Sequence, residues 1–143
     1  PLIGGDVHSQ PVFVGDVAEA IARSVDGKVA GGKVYELGGP QVLTMRQNFE
    51  EMLRAIDRKR WLAPVPWWAA ELQGAIFGML PKPLLTSDQV KLLKRDNVVS
   101  EAAISEGRTL QGIGIQPTTL ASILPSYLWR YRPAGQFTKR TEA

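Results

Sequence analysis

The chain of 143 residues contains no cysteine and only one histidine. Without thiols the sequence offers no disulfide, no thiolate metal site and no cysteine nucleophile. A single imidazole, His8, cannot build a histidine-rich metal site, and its polar neighbourhood predicts an ordinary surface histidine. We therefore expect neither thiol chemistry nor a resident metal ion in this chain.

Strong charge of one sign and a charged-then-apolar leader are also missing. Lysine and arginine number 17 and acidic residues 14, so the formal net charge is only +3. The basic residues are scattered, which argues against a nucleic-acid-binding face. Because no such leader opens the chain, we expect a cytoplasmic protein.

The composition is typical of a folded protein, with 44% apolar and 22% charged residues. The length suits one domain with a core of its own. We assign residues 1–133 to this domain and predict a disordered tail over 134–143, which follows Pro133 and is rich in polar residues.

A strand followed directly by a helix is predicted near the start, in Gln10-Pro-Val-Phe-Val-Gly-Asp-Val-Ala-Glu-Ala-Ile21. Pro11 to Val14 is predicted as a short strand. Asp16 has the character of a helix N-cap, and Glu19 could complete a capping box. The helical spacing then predicts a buried face that contains the residues Val17, Ile21 and Val25.

A second strand and helix are predicted next, with Lys33 to Leu37 extended and Gly38-Gly39-Pro40 as the turn. Thr44 and Gln47 predict a capping box at the start of an amphipathic helix. Further on, we predict a short strand over 61–65 and a helix over 67–80. A helix over 86–97 opens with Thr86 as its cap, residues 98–116 are irregular, and a last helix from about 118 is kinked by Pro125. The fragment is thus α+β, mostly helical with two or three short strands.

The sequence carries no complete catalytic or cofactor-binding constellation. Gly38-Gly39-Pro40 lacks the G-x-G-x-x-G spacing of a dinucleotide cradle, and Pro40 has no N–H for a phosphate, which favours a plain turn. Neither Tyr35, Tyr127 nor Tyr131 is followed four residues later by lysine, and no G-x-S-x-G elbow is present. We therefore assign no catalytic, cofactor-binding or metal residue.

The aromatic segment from Trp61 to Leu80 has three possible roles. Its helix of about 14 residues spans roughly 21 Å, against about 30 Å of bilayer hydrocarbon, so it cannot cross a membrane alone. It could pack in the core or against another subunit, line an apolar pocket, or lie in a membrane interface.

The order of these motifs resembles the C-terminal portion of extended or atypical short-chain dehydrogenase/reductases, the NAD-dependent epimerase/dehydratase-like proteins. Three later stretches resemble bacterial relatives of the nucleotide-binding accessory subunit of respiratory complex I. They are Leu80-Pro-Lys-Pro-Leu-Leu-Thr-Ser-Asp-Gln-Val-Lys-Leu-Leu-Lys94, Asp96-Asn-Val-Val99 and Ile123-Leu-Pro-Ser-Tyr-Leu-Trp-Arg-Tyr-Arg-Pro133.

The resemblance implies an α/β parent in which this chain is the C-terminal, substrate-side lobe of an extended Rossmann-type protein. NAD or NADP would bind the parent through an N-terminal half that is missing here, and this chain alone would hold no cofactor. Gln10, Phe13, Trp67 and Trp68 become candidates for lining the cleft between the two halves.

Three functions stay open at this point. The parent could have a structural or assembly role in a respiratory complex, or it could be an active epimerase, dehydratase or reductase. Alternatively, residues 61–80 could dock on a membrane or a partner. Because strands of a divided sheet leave open edges, we also expect the fragment to form a homo-oligomer.

Overall fold

The computed structural model describes residues 1–77 and 87–133, and this part of the chain is mostly helical. The helices are α1 (Val14–Val25), α2 (Met45–Ala55), α3 (Trp67–Phe77), α4 (Ser87–Leu92), α5 (Glu101–Ser105) and α6 (Leu120–Leu128). Four two-residue strands are β1 (Leu2–Ile3), β2 (His8–Ser9), β3 (Leu43–Thr44) and β4 (Pro64–Val65). Short 3₁₀ turns cover Gln111–Ile113 and Trp129–Tyr131. The predicted class, mostly helical with a few short strands, is confirmed.

The strands form two small sheets. β1 and β4 pair in parallel, with Leu2 opposite Pro64, and β2 and β3 pair antiparallel, with His8 opposite Thr44. A bridge joins Ser9 to Asn97 on the other side of β2. The segment over residues 8–10 is therefore held on both sides by distant parts of the chain.

The start of α2 is as the sequence predicted. The Thr44 hydroxyl accepts from the Gln47 backbone N–H, and the Gln47 side chain accepts from the Thr44 N–H at 2.8 Å. The next two N–H groups, of Met45 and Arg46, donate to the carbonyls of Val7 and Gly5. The first turn of α2 therefore has its backbone donors satisfied.

The two predicted strands over 11–14 and 33–37 are wrong. α1 already begins at Val14, and residues 33–39 run without a β partner among the described residues. In the second stretch the Glu36 N–H donates to the Arg108 carbonyl, which is a loop contact. A strand needs a ladder of backbone hydrogen bonds to a neighbouring strand, and neither stretch forms such a ladder with a described segment.

Several short elements were not predicted from the sequence. Residues 1–10 contain β1 and β2 rather than only loop, and residues 98–116 contain α5 and a 3₁₀ turn. The predicted short strand over 61–65 is confirmed in part by β4. Thr86, the end of the predicted helix at Leu80 and the tail over 134–143 lie outside the described residues.

The capping role predicted for Asp16 is also wrong. Phe13 is the N-cap of α1, and Asp16 lies in the first turn, 7% exposed. Its carboxylate accepts from both the backbone N–H and the hydroxyl of Thr118, at 2.7 and 2.8 Å. Glu19 does not complete a capping box but pairs with Arg23 one turn along. Asp16 thus connects α1 by hydrogen bonds to the segment that leads into α6.

The core is small. Ala20, Leu110 and Ile115 are buried together, with Val12, Leu37 and Ile113 packed against them. The face of α1 that was predicted to be buried is mostly turned outward, since Ile21 is 60% and Val25 83% exposed. The side chains that α1 does bury are those of Asp16 and Ala20.

The last helix packs on α2 and carries Pro125 in its interior, as predicted. Two arginine side chains support this packing at backbone carbonyls. The Arg132 Nε donates to the Ala55 carbonyl at 3.0 Å, and the Arg58 Nε donates to the Tyr131 carbonyl at 3.2 Å. They connect the carboxyl-terminal ends of the two helices.

We expect Asp16→Ala to destabilise the protein by about 1.5–3 kcal/mol, because a buried carboxylate with two charge-assisted hydrogen bonds would be lost. Urea denaturation measures this change. Asp26→Ala is the matched control. Asp26 pairs with Lys28 at the exposed end of the same helix, where a surface ion pair contributes at most about 1 kcal/mol. Equal effects of the two substitutions would contradict the role of Asp16.

Candidate functional site

Gln10, a predicted cleft residue, makes three hydrogen bonds inside the protein. Its side-chain Nε2 donates to the Gly39 carbonyl at 2.8 Å, and its Oε1 accepts from the Val99 N–H at 2.9 Å. Its backbone N–H donates to the Asn97 carbonyl at 3.0 Å. Gln10 therefore connects its own segment to Gly39 and to the segment over 97–99. It also lines a groove of about 530 Å³, together with Gly38 and Val98.

The glycine pair next to Gln10 is required by close packing. A Cβ atom at Gly39 would lie 1.9 Å from the Pro11 carbonyl oxygen, and one at Gly38 would lie 2.5 Å from a methyl group of Val99. Both glycines are buried. The next helix begins only at Met45, so these glycines precede no helix N-terminus and their surface is already covered by protein.

Glu36 borders the same groove and binds the start of α5. Its two carboxylate oxygens accept from the Ser100 N–H at 2.7 Å and from the Ser100 hydroxyl at 2.9 Å. These bonds, together with the nearby charge of Arg108, hold the pKa of Glu36 below its ordinary value of 4.5. The hydrogen bond from Arg108 likewise lowers the pKa of Glu106.

Phe13 lines a second groove, of about 290 Å³, between the start of α1 and α6. Its ring covers Gly15, where a Cβ atom would lie only 2.3 Å from the ring. Thr118, Ile123 and Tyr127 form the opposite wall. The grooves of Gln10 and Phe13 share Pro11 and Val12 as lining residues, so these two candidates border neighbouring concave surfaces.

The two tryptophans on α3 have different environments. Trp67 is partly buried against Gly4, and the Lys94 ammonium lies 5.5 Å from the centre of its ring. Lys94 also pairs with Glu71. A methyl group at Gly4 would collide with the Trp67 ring at 2.8 Å. Trp67 is thus a packing residue that carries a cation–π contact.

Trp68 is 70% exposed and stands at the edge of a third groove, of about 560 Å³. This groove is almost entirely apolar and lies between α2 and α3, above β1 and β4. Its walls include Leu2, Met45, Phe49, Val65, Leu72 and Ile76. We name it the α2–α3 groove. Sequence reasoning offered an apolar pocket wall as one role of this segment but did not identify the other walls, because these come from β1, α2 and β4.

The four candidates do not meet at one site in this chain. Gln10 and Phe13 border adjacent grooves, whereas the tryptophans are on α3 with Trp68 at the α2–α3 groove. Their role in lining a cleft toward another half stays a prediction. The same holds for docking by residues 61–80, of which Trp61 is 87% exposed and 78–80 lie outside the described residues.

His8 lies on the surface beside one carboxylate, as expected. Its Nδ1 is 3.4 Å from an Asp96 oxygen, and both side chains are about half exposed. No group of three or more potential histidine or carboxylate metal ligands occurs among residues 1–77 and 87–133. Across those same ranges, none of the helices combines the length and the apolar character that spanning a membrane requires.

The lowered pKa of Glu36 predicts acid sensitivity. Because the folded-state pKa is below the unfolded one, the stabilisation is complete above about pH 5 and is lost as the pH falls through the folded pKa. We expect Glu36→Gln to make stability less dependent on pH between about 5 and 3. The residual slope would come in part from Glu106, whose pKa is also lowered. Urea denaturation of both proteins at about pH 5 and about pH 3 gives the change in the free energy of unfolding between these pH values. An equal change for the original protein and for Glu36→Gln would contradict this role of Glu36.

Comparison with known proteins gives two informative relatives, while no protein-family model matches. The chain is 33% identical to NADH dehydrogenase (ubiquinone) 1 alpha subcomplex subunit 9, mitochondrial, of Arabidopsis thaliana, over 94% of this chain and 35% of the relative. It is 28% identical to the NADH-ubiquinone oxidoreductase 40 kDa subunit, mitochondrial, of Neurospora crassa, over 85% of this chain and 32% of the relative.

The chain thus spans about a third of the length of these relatives. The aligned third is their C-terminal portion, which agrees with the resemblance found in the sequence motifs. The chain is a distant homologue of the C-terminal part of these NADH dehydrogenase subunits.

Proposed function

We propose that this chain is the C-terminal lobe of an NAD(P)-binding, epimerase/dehydratase-like protein with a structural or assembly role in a respiratory NADH dehydrogenase. The cofactor, NAD or NADP, would bind the other part of the parent protein. Such a parent would be cytoplasmic or peripheral on the cytoplasmic face of the inner membrane. Distant homology over about a third of two NADH dehydrogenase subunits supports this role.

The main structural observation behind this proposal is the exposed apolar face of α1. Val14, Ile21 and Val25 are 68%, 60% and 83% exposed, and Ala18 between them is exposed as well. These positions follow helical spacing along one side of α1, opposite the buried Asp16 and Ala20. An apolar stripe of this length on a soluble protein normally packs against another protein surface.

The extended stretch over residues 33–37 supports the same conclusion. Its sequence has the character of a strand, yet in the described part of the chain it pairs with no other strand, and Val34 is 76% exposed. Arg108 already binds the Val34 carbonyl and the Glu36 N–H on one side of this stretch, so a further strand would have to pair with its other side. Together, the α1 face and this edge would form the surface that meets the nucleotide-binding half.

A chimera tests the proposal in a cell that has the respiratory complex. The matched third of the Neurospora crassa 40 kDa subunit is replaced by this chain in a strain without its own subunit. Native electrophoresis then shows whether the chimera migrates with the NADH dehydrogenase. We expect incorporation, and a soluble, folded chimera that remains outside the complex would argue against an assembly role.

Two equally exposed isoleucines provide a matched pair of variants in the same chimera. Ile21→Asp places a charge on the α1 face, whereas Ile104→Asp places it on α5, and both side chains are 60% exposed. We expect Ile21→Asp to reduce the yield of soluble chimera at least severalfold, because burying an unpaired carboxylate is costly, and Ile104→Asp to leave the yield unchanged. Equal yields would exclude the α1 face as the contact between the halves.

We expect the isolated chain not to bind NADH at micromolar concentration. Its glycine pair is covered by Pro11 and Val99, so no open cradle of backbone N–H groups exists there for a pyrophosphate. Calorimetric titration measures this directly. Saturable micromolar binding of NADH would overturn the assignment of the cofactor to the other half of the parent.

The uncovered apolar face also predicts self-association of the isolated chain. We expect light scattering to show a molar mass that rises with concentration, and Ile21→Asp to shift the chain toward monomer while Ile104→Asp does not. A monomer at all concentrations would contradict the predicted homo-oligomer.

A further inference from the structure

Positive charge from two distant parts of the chain is brought together at the carboxyl-terminal ends of α2 and α6. The Arg58 Nε donates to the Tyr131 carbonyl, 73 residues further along the chain, at 3.2 Å. The Arg132 Nε donates to the Ala55 carbonyl at 3.0 Å. The two segments therefore adjoin in the fold. We call the ranges Arg58-Lys-Arg-Trp61 and Trp129-Arg-Tyr-Arg132 together the basic–aromatic surface.

The basic–aromatic surface carries positive charge only. Its cations are Arg58, Lys59, Arg60, Arg130 and Arg132, and it contains no acidic residue. In the described part of the chain, no carboxylate forms an ion pair with any of them. All except Arg132 are exposed. Because the whole chain has a net charge of only +3, this small surface holds more positive charge than the chain has overall.

Exposed aromatic side chains lie among these charges. Trp61 is 87%, Tyr131 58% and Trp129 39% exposed. Tryptophan and tyrosine combine a large apolar ring with one polar N–H or O–H, and they are enriched where a bilayer meets water. Lysine and arginine are attracted to the same level by anionic lipid headgroups. These residue types together are therefore typical of a membrane interface.

We propose that the basic–aromatic surface binds the headgroup layer of a bilayer that contains anionic phospholipid, with Trp61 entering the interface. Each cation near such a surface contributes about fivefold to the affinity. The exposed cations together thus favour reversible binding to the membrane surface. The inference rests on the peripheral membrane location in the proposed function, but it uses no residue of the α1 face.

The local structure of this surface favours lipid over nucleic acid. Residues 129–131 form a 3₁₀ turn, and residues 58–61 belong to no helix or strand. A nucleic acid is read by a helix or ribbon in a groove, or by rings and cations that follow one strand. Neither of these two short segments provides such a row. A bilayer is fluid, so its anionic headgroups can move to cations that are irregularly placed.

Sedimentation with lipid vesicles tests the surface on the isolated chain. At about 0.1 M salt we expect binding to phosphatidylcholine vesicles that contain phosphatidylglycerol, and little binding to pure phosphatidylcholine. Raising the salt to about 1 M shortens the Debye length from about 10 Å to about 3 Å and should release most of the bound chain. Equal binding to the two kinds of vesicle, or no binding to the anionic one, would overturn the proposal.

Two arginines provide a matched pair of charge reversals. Arg60 belongs to the basic–aromatic surface and Arg95 does not, and both are exposed without an ion pair to a described carboxylate. We expect Arg60→Glu to weaken binding to anionic vesicles more than about tenfold, because the local charge changes by two. Arg95→Glu should weaken it by at most about twofold. Equal weakening would show that only net charge matters and would refute the assigned surface.

Two exposed tryptophans separate this surface from α3. We expect Trp61→Ala to weaken binding to anionic vesicles severalfold, because an interfacial ring is lost. Trp68→Ala, at a side chain that is 70% exposed on α3, should leave binding unchanged. The opposite ranking would refute the proposal and place the contact on α3. Circular dichroism checks that each variant keeps its fold, which we expect because all the substituted side chains are exposed.

A nucleic-acid contact is distinguished by the same variants. Binding of a single-stranded oligonucleotide that Arg60→Glu weakens, without binding of anionic vesicles, would replace the proposal by such a contact. The proposed function is tested separately, by incorporation of the chimera into the complex. An incorporated chimera combined with a chain that ignores anionic vesicles would refute only the basic–aromatic surface. Vesicle binding combined with a chimera that stays outside the complex would refute only the assembly role.

Discussion

The fold depends most on the backbone of residues 8–10, which holds distant segments together. β2 pairs with β3 on one side and bridges to Asn97 on the other, while the side-chain amide of Gln10 binds Gly39 and Val99. Few apolar side chains are fully buried among the residues that the structure describes, so these backbone and amide bonds do much of the positioning. An unpaired polar group in such a place would cost more than the bond contributes when it is made.

Two of the three grooves follow from this arrangement. Because Gln10 and the buried glycines draw the segments over 36–39 and 97–99 together, the first two grooves lie around Pro11 and Val12, next to the start of α1. The α2–α3 groove lies on the other small sheet, where Leu2 of β1 and Val65 of β4 are among its lining residues. The protein thus presents separate apolar surfaces, one on α1 and one between α2 and α3.

Local patterns in the sequence predicted individual helices well. The Thr44 and Gln47 capping box, Pro125 within the last helix and the helix that starts at Trp67 all appear at or near the predicted positions. Each depends on contacts within a few residues, which is why a single sequence suffices. The predictions of strands over 11–14 and 33–37 were wrong because a strand does not depend on local contacts alone. Strand formation depends on a partner segment, and the pattern that favours a strand does not provide one.

The sequence by itself determined the absence of thiol chemistry, the helical character and the resemblance to a part of NADH dehydrogenase subunits, because composition and short motifs are local properties. Only the tertiary structure decided that Asp16 ties α1 to Thr118 rather than capping the helix, since the partner is 102 residues away. It also decided which apolar residues face outward. Helical spacing places Ile21 and Val25 on one face, but whether that face is covered depends on what packs against it.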